Sequence, residues 1–248
     1  MSCMWIPRRC SAPLLVLGLL AWPASAATLT VLAPASAAPG LKAIAALYTA
    51  KAGTQVTIGG GARDKVFEAL KTGPADVVVL PSNDFVDLTD VTAMSPLGRI
   101  AVGVAVKAGT KLPDISTAEK FRNVLLAAKG VAYADPAAGT SAGKVIETML
   151  QAPEFAGVKR VPVRGLAATA LTNGTADIAL QLLPELAANK DVALAGAVPD
   201  TYGVGVDFSA GITATTSNAM EAQDFVSFLT SSQNAAVWKK NGLAPLSH

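Results

Sequence analysis

The chain has 248 residues, 51% of them hydrophobic, and it carries 20 Lys and Arg against 18 Asp and Glu. This balance, together with only 5% aromatic residues, excludes the basic surface typical of nucleic-acid-binding proteins, so we expect no nucleic-acid partner. Cys3 and Cys10 lie near the start and the single histidine is His248, so we expect neither cysteine nor histidine catalysis, no metal site and no cofactor.

The N-terminal end has the three parts of a secretory signal peptide. Arg8 and Arg9 form a basic start, residues 14–22 form an apolar run too short to span a bilayer, and residues 24–26 are a small-residue cleavage site. Cleavage would remove residues 1–26, including both cysteines. No later stretch is long and apolar enough to cross a membrane, so we expect a soluble periplasmic protein.

Short apolar runs then alternate with helical stripes. Strands are predicted at 29–34, 55–58 and 75–81, and helices between them end at Gly53 and Gly73. The third run has four consecutive apolar residues, which is typical of a strand buried on both faces of a parallel sheet. The β-α-β-α-β order indicates an α/β domain with right-handed crossovers.

A second series of the same kind follows. Further strands are predicted at 98–106, 131–134, 160–164, 176–183 and 204–214. Helical patterns surround Phe121, precede Leu150, cover 165–173 and continue through the C-terminal segment 219–240.

Two α/β series without a flexible linker predict two lobes with a ligand cleft between them. We expect lobe I to comprise residues 27–102 and 210–248, and lobe II to comprise residues 103–209. Each lobe is predicted to be a mixed, mostly parallel sheet flanked by helices.

Four loops that follow predicted strands carry polar or glycine-rich segments. They contain Ser36, the run Gly59–Arg63, Thr140 with Ser141, and Gln181. In open α/β sheets, ligands bind beyond the carboxyl ends of the strands, where loops lead into helices. Two helix starts that face each other across a cleft would form an anion site, because their free N–H groups and helix dipoles converge there.

Each segment also has a purely structural interpretation. Ser36 and Ser141 could simply cap the helices that follow them. The three glycines form either a tight turn or a backbone that a ligand approaches closely. Arg63 is either a solvated charge or a clamp for a carboxylate, and Gln181 either ends a strand or contacts the ligand.

Several stretches resemble the periplasmic molybdate-binding proteins and their relatives, the type II solute-binding proteins of ABC importers. They are LTVLAPASAAPGLKAIAALY, GPADVVVLPS, DPAAGTSAGKVIETML, VRGLAATALTNGTADIAL and VWKKNGLAP, in that order over nearly the whole predicted mature chain. The resemblance implies two lobes that close on an anion held by hydroxyls and backbone N–H groups.

Residue by residue, the resemblance is partial. It implies that Ser36 is the first-lobe serine and that Ala142 and Val163 supply backbone donors from the second lobe. Residues 61–63 (Gly-Ala-Arg) replace a serine-rich loop of molybdate binders, and Gln181 replaces a tyrosine that contacts the anion. Two hydroxyl donors are lost and a positive charge is gained, which favours an organic carboxylate over molybdate.

We therefore expect a monomeric solute-binding protein that captures a small anion, either an oxyanion or an organic carboxylate, and delivers it to an inner-membrane ABC permease. The expected ligand-binding residues are Ser36, Gly60, Gly61, Ala62, Arg63, Thr140, Ser141, Ala142, Val163 and Gln181. Two alternatives stay open. Some proteins similar to this family isomerise the unsaturated tricarboxylate aconitate, and a ligand-loaded protein of this kind could also bind a sensor kinase.

Overall fold

The computed structural model describes residue 1 and residues 27–245. Residues 2–26 of the predicted signal peptide, both cysteines and His248 lie outside the described residues. The strands are β1 (Thr28–Pro34), β2 (Gln55–Gly61), β3 (Val77–Pro81), β4 (Val91–Lys107), β5 (Val131–Ala134), β6 (Arg160–Val163), β7 (Ile178–Leu182), β8 (Val192–Ala197), β9 (Gly205–Thr213) and β10 (Leu243–Pro245). The helices are α1 (Ala38–Ala52), α2 (Arg63–Thr72), α3 (Ala118–Ala127), α4 (Ser141–Leu150), α5 (Ala168–Thr172), α6 (Leu183–Ala187), α7 (Ala219–Thr230) and α8 (Ala235–Lys240).

Local sequence accounts for the first β-α-β-α-β unit. β3 is buried at every position, as its uninterrupted apolar run predicts. On α1, Leu41, Ile44 and Tyr48 lie on one face and are buried. The helix ends at Gly53, whose φ of 76° is a left-handed conformation that glycine adopts at least cost.

The described strands form one sheet path in the order β2-β1-β3-β9-β4-β7-β5-β6, with β8 and β10 paired to β4. β1 is parallel to β2 and β3, and β5 is parallel to β6 and β7. Each antiparallel pairing involves β4 or β9. The predicted α/β fold, with a mixed sheet flanked by helices, is confirmed.

β4 connects two parts of this sheet because it changes partners along its length. Residues up to Ala101 pair with β9 and β10, and residues from Val102 onward pair with β7 and β8. We call the part with β1, β2, β3, β9 and β10 the first ladder, and the part with β5 to β8 the second ladder. The lobe boundaries given above remain a prediction.

One apolar cluster packs against both ladders. It includes Val31 of β1, Tyr133 of β5, Phe121 of α3 and Phe225 of α7, all at most 1% exposed. Within the described ranges, no helix has both the length and the apolar composition needed to cross a bilayer.

The structure differs from the sequence analysis in three places. The glycine run is no turn: Gly59–Gly61 completes β2, and its last residues pair with Ala33 and Pro34 of β1. The C-terminal helical pattern is split, because α7 ends at Thr230 and the side-chain amide of Asn234 donates to the carbonyl of Phe228. The sequence reading also missed β8, β10 and α6, which are short and lack a clear period of two or 3.6 residues.

Candidate functional site

A cavity of about 410 Å³ opens where the carboxyl ends of six strands meet. The ends of β1, β2 and β3 form one wall and the ends of β5, β6 and β7 form the opposite wall. The first residues of α2 and α4 lie at its rim, and Val206 and Phe208 of β9 form part of the floor. This is the position at which open α/β sheets bind ligands.

The structure brings nine of the ten expected residues to this one cavity: Ser36, Gly61, Ala62, Arg63, Thr140, Ser141, Ala142, Val163 and Gln181. Gly60 does not line it. A Cβ at Gly60 would lie 2.2 Å from the carbonyl oxygen of Ala33, so this position is glycine because two strands approach closely. Whether the nine residues bind a ligand remains a proposal.

Neither serine caps its helix through its side chain. Ser36 is 2% exposed and lies in the β1–α1 loop, where Ala37 occupies the N-cap position of α1. At α4 the cap is Thr140, whose hydroxyl accepts a hydrogen bond from the N–H of Gly143 at 3.2 Å. Ser141 is the first helical residue instead, so its hydroxyl is free to make a contact in the cavity.

The starts of α2 and α4 both line the cavity, and each contributes partial positive charge there. Ala62 is the N-cap residue of α2, and its methyl side chain cannot accept a hydrogen bond from the first N–H groups of that helix. Ser141 and Ala142 begin α4. Free N–H groups and helix dipoles at such positions stabilise negative charge.

Arg63 is not a solvated surface charge. Its side chain is 28% exposed, and its guanidinium carbon lies 4.2 Å from the centre of the Phe67 ring. Nε donates to Oδ2 of Asp84 at 2.8 Å, and one terminal nitrogen is 3.4 Å from Oδ2 of Asp87. The guanidinium is therefore held in one place at the cavity, as a clamp requires.

Asp84 is a residue that the sequence reading missed. It lies in a 3-10 turn (Ser82–Asp87) directly after β3 and is only 4% exposed. Besides the contact with Arg63, its Oδ1 accepts a hydrogen bond from Ser141 Oγ at 3.3 Å. A carboxylate that follows a buried strand at the carboxyl edge of the sheet was the signal that could have found it.

Gln181 and Glu185 form a second polar pair in the cavity. The side-chain oxygen of Gln181 accepts from the N–H of Ala167 at 3.0 Å, which directs its amide nitrogen to Glu185 Oε2 at 2.6 Å. Burial raises the pKa of the Glu185 carboxyl, and the hydrogen bond from Gln181 offsets part of that increase. Sequence reasoning missed Glu185 because it missed α6, on which Glu185 lies four residues after Gln181.

These contacts leave the cavity with one cation, Arg63, and hydroxyl and N–H donors on both walls. Much of the remaining lining is apolar: Leu80, Ile146, Leu166, Leu180, Leu182, Val206 and Phe208. No group of three or more His, Cys, Asp or Glu side chains among the described residues is placed to hold a metal ion. Such a site can recognise an anion that also carries apolar carbon.

A family model described as bacterial extracellular solute-binding protein matches residues 29–244. The chain belongs to this family. The predicted relationship to type II periplasmic solute-binding proteins is confirmed. The family binds solutes outside the cytoplasm, and the cavity at the strand ends is the candidate site for such a solute.

Three individual proteins are similar to the chain in sequence or fold. The chain is 26% identical over 232 residues to an aconitate isomerase from a Pseudomonas species, covering 88% of each chain. Its fold is similar to that of the Azotobacter vinelandii periplasmic molybdate-binding protein, with a TM-score of 0.63, 18% identity and coverage of 88% and 100% of the two chains. Peb3 from Campylobacter jejuni gives a TM-score of 0.65 at 20% identity with the same coverage, and PEB3 has also been solved with L-phospholactate bound.

Proposed function

We propose that this solute-binding protein captures a small organic carboxylate in the cavity and delivers it to an inner-membrane ABC permease. One observation carries the proposal: a fixed guanidinium, that of Arg63, and hydroxyls from both walls face an otherwise largely apolar cavity. Charge-assisted hydrogen bonds from Arg, serine hydroxyls and helix N–H groups recognise a carboxylate, while the apolar residues contact its carbon skeleton.

A tetrahedral oxyanion fits this cavity less well. It has no carbon skeleton to fill about 410 Å³, and it needs hydrogen-bond donors around its whole surface. Three carboxylates, Asp84, Asp135 and Glu185, also line the cavity, and a dianion without a carbon skeleton would come close to them. The names of two relatives support an organic acid, since one acts on aconitate and the other is known with L-phospholactate.

We further propose that residues 1–26 direct export to the periplasm. The mature protein would be a monomer whose two predicted lobes close on the ligand. β4 and β9 would then act as the connection about which closure takes place, because both strands belong to the sheet at the junction of the two ladders.

A ligand screen by thermal unfolding tests the proposal. We expect tricarballylate, citrate or cis-aconitate to raise the Tm, by about 5–10 °C at a hundredfold excess over Kd for a chain of this size. Molybdate, sulfate and phosphate are tested at the same concentration as the inorganic anions for comparison. A Tm increase with molybdate and none with any carboxylate would contradict the carboxylate assignment.

A second candidate function is isomerisation of a small unsaturated carboxylate. The observation that favours this function is the environment of Glu185. A half-buried carboxyl with a raised pKa, facing the cavity without a cationic partner among the described residues, is suited to act as a base. Glu185 would take a proton from the carbon between a carboxylate and the double bond. In the resulting allylic anion, rotation about the former double bond would interconvert the cis and trans forms, and Glu185 would then return the proton.

Under this second function, we expect the wild-type protein to interconvert cis- and trans-aconitate, and Glu185→Gln to lose that activity while still binding tricarballylate. The reaction needs ionised Glu185, so activity should fall as the pH is lowered through its raised pKa, at a higher pH than an ordinary glutamate with a pKa of 4.5 would give. Chromatography of the two isomers measures the conversion. Equal conversion with wild type, Glu185→Gln and a protein-free blank would exclude the enzyme.

A further inference from the structure

The carboxylate of Asp84 joins two donors that approach the cavity from different walls. Oδ2 accepts from Arg63 Nε at 2.8 Å, and Oδ1 accepts from Ser141 Oγ at 3.3 Å. Arg63 begins α2, which follows a strand of the first ladder, and Ser141 begins α4, which follows a strand of the second. A carboxylate of the protein itself therefore occupies the guanidinium and the hydroxyl that we assign to the ligand.

Asp84 differs in this respect from a residue that only orients Arg63. Asp87 contacts the same guanidinium at 3.4 Å, but its side chain is 63% exposed and it does not line the cavity. Asp84 lines the cavity, is 4% exposed, and uses its second oxygen on Ser141. The hydrogen bond from Ser141 does not touch Arg63 itself, and it links Asp84 to the opposite wall of the cavity.

We propose that Asp84 is an internal competitor for the carboxylate of the ligand. In the unliganded protein it binds Arg63 and Ser141 and so holds the two walls of the cavity together. An incoming carboxylate then exchanges with it, because two carboxylates on the same edge of one guanidinium repel each other. The inference rests on the proposed function for the class of ligand, but the bridge between the walls does not depend on it.

This exchange makes Asp84 a determinant of specificity. Since one charge-assisted pair replaces another, negative charge alone gives a ligand less advantage than it would have at an unoccupied guanidinium. The remainder of the ligand, in contact with residues such as Leu80, Ile146 and Phe208, then decides the affinity. Small inorganic anions are rejected for this reason, although the site contains an arginine and two helix starts.

Asp84→Asn tests the competition, because asparagine keeps the shape and removes the charge. In calorimetric titrations with tricarballylate, we expect the variant to bind about tenfold more tightly than wild type, as loss of one competing charge-assisted pair predicts. Asp207→Asn is the matched control, because Asp207 pairs with Arg99 and does not line the cavity, and it should bind like wild type. Affinity of Asp84→Asn equal to or below that of wild type would overturn the competition.

The bridge is tested without any ligand by small-angle X-ray scattering. We expect Asp84→Asn to have a larger radius of gyration than wild type and Asp207→Asn, because the two walls lose their connection. If Asp84→Asn does not fold, Ser141→Ala removes the other end of the contact and should give the same increase. Identical scattering from the variant and wild type would overturn the bridge. Absence of carboxylate binding in every variant would instead contradict the proposed function and leave the scattering comparison intact.

Discussion

Arg63→Ala is expected to weaken binding of a tricarboxylate by about 10- to 100-fold, the loss that a charge-assisted hydrogen bond of about 1.5–3 kcal/mol predicts. Arg63 is the only cation that lines the cavity among the described residues, and Phe67, Asp84 and Asp87 fix its position. No other side chain there can replace its charge. Titration calorimetry with tricarballylate measures the change directly.

Two further variants separate this effect from a loss of stability. Removal of Arg63 leaves the buried Asp84 without its cation, which by itself destabilises the protein. The double variant Arg63→Ala with Asp84→Asn removes that unpaired charge, and we expect it to recover stability but not affinity. Arg99→Ala is the matched control, because Arg99 is half exposed and pairs with Asp207 away from the cavity. Unchanged affinity in Arg63→Ala would mean that the ligand does not contact the guanidinium.

Gly143→Ala is expected to lower both the stability and the affinity, although a glycine-to-alanine change inside a helix normally stabilises it by about 1 kcal/mol. A Cβ at Gly143 would lie 2.5 Å from the carbonyl oxygen of Ala134 and 2.8 Å from Oγ1 of Thr140. The first turn of α4 would have to move away from the end of β5. Steric overpacking costs about 1–3 kcal/mol, and loss of the Thr140 cap adds about 1 kcal/mol.

The displacement would also move Ser141 and Ala142, and we therefore expect weaker binding of tricarballylate as well as a lower Tm. Gly73→Ala is the control, since its new Cβ would be 3.7 Å from the nearest atom and its backbone conformation, with φ of −140°, suits any residue. Its Tm and affinity should equal those of wild type. A Gly143→Ala variant as stable as wild type would mean that α4 does not pack against β5 as described.

Much of the fold could be predicted from local sequence because its strands and helices carry strong, regular patterns. The apolar run of β3 and the buried face of α1 identified those elements without reference to the rest of the chain. The segments that failed depend on distant residues. Gly59–Gly61 is extended because β1 lies beside it, and α7 ends early because Asn234 folds back onto Phe228.

The candidate site was predictable to the extent that it follows from topology. Ser36 and Ser141 come after strand ends and Gln181 lies inside the last part of β7, not in a loop as predicted, and the carboxyl ends of these strands meet at one edge of the sheet. Asp84 and Glu185 were not predicted because their importance comes from pairs, with Arg63 and Gln181, that only the three-dimensional arrangement creates. A lone acidic residue in a sequence is most often a solvated one.

The place of β9 in the sheet constrains the order in which the polypeptide can fold during synthesis. β9 lies between β3 and β4, yet it follows all the strands of the second ladder along the chain. The second ladder can therefore assemble from one contiguous segment, whereas the first remains open until the ribosome has made residue 213. Until then β3 has β1 as a neighbour on one side only, and its other edge stays open to pairing with other strands.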